Sequence, residues 1–194
     1  MNLQETLHCL IPYRLDAVET FGLDLRKYGS WGAAQPMQLF FNGELAIEGN
    51  SNAFTNPVVE TGIIHGRALL EFLGLEMSKH GKLQRLQRSR RPDDVGIEHF
   101  SGAGGPLEMV SPAQAVSAWP SDTLEAEEAF LSVFRAANKG LAHLTSLRTA
   151  SDEETRLLEI ASRRIPALVA SYLYIPLRLP PPECHITSRH RNAG

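Results

Sequence analysis

Cysteine is scarce in this chain. The 194 residues hold two, Cys9 and Cys184, too few and too far apart to read as a disulfide framework. Aromatic residues make up 7%, and none interleaves with the basic stretch at 79–91, so single-stranded bases find no stacking platform there. No apolar run reaches the roughly 18 residues of a membrane-spanning helix, so no membrane partner is expected. Neither sign of charge dominates: the net charge of -3 excludes a generally basic nucleic-acid coat protein but leaves room for a local patch. The first ten residues carry an acid and no basic segment, which argues against a secretory signal and for a cytoplasmic protein. Catalytic signatures are missing too. There is no Cys-x-x-Cys, no His-Glu-x-x-His, no Gly-x-Ser-x-Gly and no phosphate-binding glycine loop. The Gly-rich stretch 101–106 lacks the preceding strand and the Lys-Ser/Thr of a nucleotide loop. No cofactor is expected.

What is present is helical periodicity. With 43% hydrophobic residues, a chain of this length can bury a core without disulfides or metals. A helical stretch is expected near Leu15–Tyr28. The 36–48 segment, interrupted by Asn42-Gly43, fits either a short helix, the favoured reading, or a small hairpin near 37–47. Asn56 as a cap and Pro57 in the first turn open a long helix to about Leu75. Its stripe is Val59, Ile63, Gly66, Leu70 and Leu73, with Gly66 placed to admit a close neighbour. Asp94 is placed to cap a short turn through Phe100, and Ser111-Pro112 opens another short helix. Ser121 or Asp122 caps a second long helix over 122–149 whose stripe includes Phe130, Phe134 and Ala137. Ser151 with Glu154 makes a capping box for a third long helix, with Pro166 expected to kink it. The expectation is an all-α bundle of three long and two or three short helices over 1–175, with a disordered Pro-rich tail at 176–194.

The densest polar cluster on a long helix is Asn138–Arg148. Lys139 and His143 share a face, four residues apart, with Arg148 a turn beyond. The imidazole suits acid or base work near neutral pH, and Lys139 suits an anion. The bland alternative is a solvated helix face. Arg67 forms an i,i+4 pair with Glu71 that either fixes helix register or presents a guanidinium to a phosphate or carboxylate. Asn138, Arg148, Asp93 and Asp94 are the neighbouring binding candidates. His65, His99 and His143 form an alternative metal set that requires convergence in space. Within 79–91, six Lys and Arg side chains stand without an acid. If that stretch is helical, Lys79, Lys82 and Arg85 form a ridge suited to a phosphate backbone.

Three segments carry a resemblance: Thr61–Gly74, Pro92–Phe100 and Asn138–Arg148. They resemble a group of uncharacterised small helical bacterial proteins in which an Arg before Leu-Leu-x-Phe-Leu, an Asp-Asp-Val segment and an Asn-Lys-x-x-Ala-His-Leu-Thr segment recur in that order. The resemblance spans about residues 56–150. It implies His65, Arg67, Asp93, Asp94, Asn138, Lys139, His143 and Arg148 as shared polar positions, without a reaction. More loosely, the chain is similar to the HEPN superfamily of helical bundles, many of them RNases or RNA-associated. Their signature is an Arg followed after a few residues by a His near a dimer cleft. Here Asn138 stands in the arginine position, and Arg135 lies outside the pattern. Two functional classes follow. One is a bundle that binds a partner protein, nucleic acid or anionic ligand, in one form as a homodimer. The other is an RNase-like or metal-dependent hydrolase using His143, Lys139 and Arg67.

Overall fold

Four helices supply the apolar stripes that close the core in the computed structural model, which describes residues 2–28, 33–87, 89–120, 122–141 and 151–183, with backbone alone at 28 and 139–141. The first is part of one helical run: α1 (Leu3–Glu5), a π-helical segment (Thr6–Leu10) and α2 (Ile11–Tyr28). Asn2 caps it by accepting from the Glu5 N–H. Helix therefore starts well before Leu15, because Leu7 and Ile11 lie at helical spacing from Leu15, Val18 and Phe21 and are buried with them.

The 36–48 segment is a hairpin, not the favoured helix. β1 (Pro36–Phe41) pairs antiparallel with β2 (Glu44–Asn50). Asn42 and Gly43 both adopt positive φ, 51° and 87°, the conformation of the tight hairpin turn that Asn-Gly favours. Leu39 opposes Ile47 and Phe40 opposes Leu45, so Ala46 is the extra residue of a bulge. No hairpin residue is buried.

α3 (Asn52–Phe72) starts four residues ahead of Asn56, and Pro57 falls inside it. The cause is tertiary. Ser51 closes the hairpin base by donating its N–H to the Gln35 carbonyl and accepting the Gln35 N–H on its hydroxyl. Its own carbonyl then receives the Phe54 and Thr55 N–H groups and starts the helix. Pro57 withholds only the bond that Ala53, an exposed residue, would have accepted. The expected stripe is otherwise intact: Ile63, Leu70 and Leu73 are buried. A methyl at Gly66 would press on Ile165 and Val133, and one at Gly62 would overlap Phe21.

The basic stretch is not helical either. β3 (Leu75–Met77) and β4 (Leu83–Arg85) make a second hairpin, turned at Gly81 with φ 74°. Lys79, Lys82 and Arg85 are exposed around it but form no helical ridge. Arg88 lies outside the described residues. A short 3-10 turn, Ile97–His99, follows with Gly96 rather than Asp94 before it, and then the two-residue strands β5 (Ser101–Gly102) and β6 (Gly105–Pro106). α4 (Pro112–Ser117) carries the Ser111–Gln114 capping box. α5 (Thr123–Arg135) passes into a π-helical segment, Ala136–Leu141. Its Asp122 cap makes no side-chain bond to the helix end. α6 (Asp152–Val169) is capped by Ser151, which accepts from the Glu154 N–H as expected. One turn past Pro166 the helix widens into the π-helical Ala170–Tyr174 before α7 (Ile175–Leu177). Leu177 and Leu179 pack against the core, so packing continues beyond residue 175. Among the described residues no helix is long and apolar enough to cross a membrane.

The core joins α2, α3, α5 and α6. Leu70 and Phe134 are both almost completely enclosed. Leu70→Ala and Phe134→Ala should each cost about 2–5 kcal/mol through the cavity left behind. Guanidinium unfolding at constant m-value measures that cost; a loss under about 1 kcal/mol would mean that these positions are not the core.

Candidate functional site: a polar cleft along the third helix

The C-terminal half of α3 forms the floor of an open cleft of about 480 Å³. Ala68, Glu71 and Phe72 come from α3, Thr6, Leu10 and Arg14 from the N-terminal run, and Arg90, Arg91, Asp93 and Asp94 from the loop after β4. Each charged group is held differently, and those differences decide what remains available to a ligand.

Arg67 is tied down. Its Nε and Nη2 both lie 3.1 Å from Glu71 Oε1, and its Nη1 donates to Asn138 Oδ1 at 2.6 Å. It fixes α3 against the 136–141 segment, with its side chain more than a third exposed. Asn138 lies in the π-helical segment, a helix irregularity common at functional sites. The wider turn sets Asn138 against α3, at the start of the polar cluster picked out in the sequence. The structure thus brings Arg67 and Asn138 together. The Lys139 side chain, His143 and Arg148 lie outside the described residues.

Arg90 is turned inward. Nη2 donates to the Glu71 and Phe72 carbonyls at 2.9 and 3.1 Å at the end of α3, where the Glu71 carbonyl also accepts the Gly74 N–H. Nε donates to Glu98 Oε1 at 2.6 Å. Burial, the largest single influence, acts to raise the Glu98 carboxyl, but the Arg90 hydrogen bond, a backbone hydrogen bond and the Arg90 and His99 charges together hold the group below the usual range. Gly96 is required at this point, since a methyl there would overlap the guanidinium. Asp94 accepts the Arg91 backbone N–H at 3.2 Å, so it shapes the loop instead of capping the turn at 97–99. Arg91 itself is exposed on the cleft wall and makes no ion pair among the described residues.

His65 meets Arg14. Arg14 Nη1 lies 2.8 Å from His65 Nδ1. A guanidinium has no acceptor, so Nδ1 must accept and the ring proton resides on Nε2. Tyr13 packs edge-on against the same ring. Burial first, and the Arg14 charge second, lower the His65 pKa below its ordinary 6.5. A cation on one ring nitrogen is a poor neighbour for a metal ion. His99 Nδ1 is engaged too, accepting the Gly96 N–H at 2.9 Å. Among the described residues, no three His, Cys, Asp or Glu side chains gather in a way that would hold a metal.

Two charged residues escaped the sequence reading. Arg14 and Asp24 both fall in the helical series Leu7, Ile11, Arg14, Val18, Phe21, Asp24, whose apolar members are buried. A charge in a core stripe was the signal that would have found them. Asp24 is 6% exposed and has no partner among the described residues. Burial pushes its carboxyl up to about 6.

Set against protein-family models, curated proteins and solved structures, the chain matches none of them.

The two shifted groups act in opposite directions on stability. His65, lowered from 6.5, contributes stability that is present above about pH 6.5 and lost as pH falls below it, because the unfolded ring then takes up a proton that the folded ring resists. Asp24, raised from 3.8 to about 6, favours the fold below about pH 4 and loses that contribution as pH rises to about 6. Asp24→Asn should therefore raise the melting temperature at pH 7.5 by about 3–6 °C and flatten the profile between pH 4 and 6. Arg14→Gln should raise the His65 pKa, read from its ring carbon shifts by NMR; an unchanged value would mean the guanidinium is not the ring's neighbour in solution.

Proposed function

We propose that this protein is a cytoplasmic binding module whose α3 cleft takes a phosphate-bearing ligand. One observation carries the reading. In a single cleft the carboxylates and the guanidiniums are unequally committed. Glu71 is bridged by Arg67 and Asp94 is spent on a backbone N–H, while Arg14 and Arg91 line the wall. Arg14 gives one N–H to His65 and keeps others for a ligand, and planar guanidiniums suit phosphate oxygens. Asp93, in the same wall, supplies an acceptor for donors elsewhere on the ligand.

A second reading, an RNase-like hydrolase, is favoured by the Arg67–Asn138 bond. That bond ties to α3, where Arg67 also pairs with the cleft residue Glu71, the segment that leads in sequence into Lys139 and His143, the pair with acid–base and anion-stabilising chemistry. It is the looser HEPN-like similarity in catalytic form. A metal-dependent version using His65 is disfavoured by Arg14 on its ring.

Calorimetric titration with inorganic phosphate, a nucleoside monophosphate and a short single-stranded RNA separates these readings. Arg91→Ala and Arg14→Gln should each weaken phosphate-ligand binding at least tenfold, about 1.4 kcal/mol, with melting temperature changed by less than about 2 °C for the exposed Arg91. Binding of the RNA should also weaken with salt more steeply than binding of the mononucleotide. His143→Ala should abolish RNA cleavage and spare binding if the hydrolase reading holds. Binding untouched by either arginine substitution would leave the cleft a purely structural network.

A further inference from the structure

The β1–β2 hairpin is the least covered part of the described chain. Phe40, Phe41, Leu45 and Ile47 are each between 48% and 61% exposed. The pairing places Leu39, Phe41 and Ile47 on one face and Phe40 with Leu45 on the other, so both faces present apolar side chains. Both strands are edges, because the sheet has only two. An isolated two-stranded hairpin is marginal in water, and open apolar edges invite a partner. The base of this hairpin is fixed to the body through Ser51 and Gln35, so it projects as an arm rooted at the start of α3.

Beside that root runs an apolar groove of about 480 Å³ between α2 and α3. Tyr13, Ala17, Phe54, Pro57, Val58 and Thr61 line most of it. Tyr13 and Phe54 are themselves 60% and 45% exposed, and Ile64 extends the same stripe of α3. Phe54 also lines the small hollow under the hairpin, with Met37 and Leu39, so arm and groove are adjacent parts of one surface.

We propose that a second copy of this chain covers this surface, by reciprocal exchange in which each protomer's hairpin lies in the other's α2–α3 groove. Two observations select a second copy over an unrelated protein. The projecting arm and the groove of matching apolar character occur on the same chain and meet at Phe54, so a two-fold axis near Phe54 covers both at once and closes the assembly. An unrelated partner filling the groove leaves the arm bare. The exposed parts of the four arm residues with Tyr13, Phe54 and Ile64 amount to roughly 700 Å², close to the roughly 800 Å² per partner of a stable complex.

Sedimentation velocity of the full chain between about 1 and 100 μM, at low and high salt, tests this. The expected species is a dimer of twice 21.4 kDa that persists or tightens in high salt. An arm variant, Phe40→Glu with Phe41→Glu, and a groove variant, Thr61→Arg, should each be monomeric with unchanged circular dichroism and melting, since all three side chains are exposed. Mixing the two variants should restore a heterodimer, at least tenfold weaker than the parent, because one intact arm then meets one intact groove. A monomer throughout the concentration range overturns the proposal. So does a dimer that survives both variants, or a mixture that stays monomeric. Phosphate binding at the α3 cleft enters none of these readouts, so the two ideas fail separately.

Discussion

The structure depends on the close approach of α3 to α2. At Gly62 the side chain of Phe21 occupies the space that any larger residue would need, and at Gly66 Ile165 presses close while Val133 and Val18 lie in contact. These two positions fix the height and rotation of α3 within the bundle. With α3 so placed, its N-terminal end carries the hairpin through Ser51, and its C-terminal half becomes the floor of the cleft. Arg14 and His65 face each other because they lie on the two helices that Gly62 lets approach. Packing of small residues against large ones gains dispersion and excludes voids; here it also sets the position of every charge that matters.

The cleft is an exercise in leaving some charges free while satisfying others. Arg90 adds donors to the last carbonyls of α3, at Glu71 and Phe72. An inward guanidinium then needs a carboxylate, and Glu98 answers at 2.6 Å. Arg67 is neutralised by Glu71 and steadied by Asn138. An unpaired charge in such a partly enclosed place costs several kcal/mol, which is why these residues come as sets. Arg14 and Arg91, at the wall, retain contact with solvent and so retain the capacity to exchange water for an anion. Tyr174 belongs to the same logic on the buried side. Its hydroxyl, pushed up to about 12 by burial, stays neutral and donates to the Leu7 carbonyl in the π-helical segment 6–10, tying the C-terminal helices to the cleft wall.

Helix type and core membership were legible in the sequence wherever a local signal agreed with the tertiary outcome. Ser111 and Ser151 cap as their spacing implies, Arg67 pairs with Glu71, and Ile63, Leu70 and Leu73 of α3 and Phe130, Phe134 and Ala137 of the α5 run are buried where periodicity puts them. The failures have a common physical origin. Asn56-Pro57 is a good helix start taken alone, but Ser51, anchored by the hairpin, starts the helix earlier. Asn42-Gly43 is a stronger statement about backbone than the apolar residues around it, which fit either period. The basic stretch 79–91 looks uniform in sequence, yet Arg90 turns inward and Arg91 outward because α3 ends beside one of them. No spacing rule contains that information. Arg14 was legible in principle, as a cation in a core stripe.

The most direct test of the central claim follows backbone amide shifts by NMR as inorganic phosphate is added at constant ionic strength. Saturable changes should be confined to Arg14, Ala68, Glu71 and the loop from Arg90 to Asp94, with the hairpin residues 36–50 unmoved. Changes that fail to saturate, or that fall on surfaces away from α3, would contradict that claim.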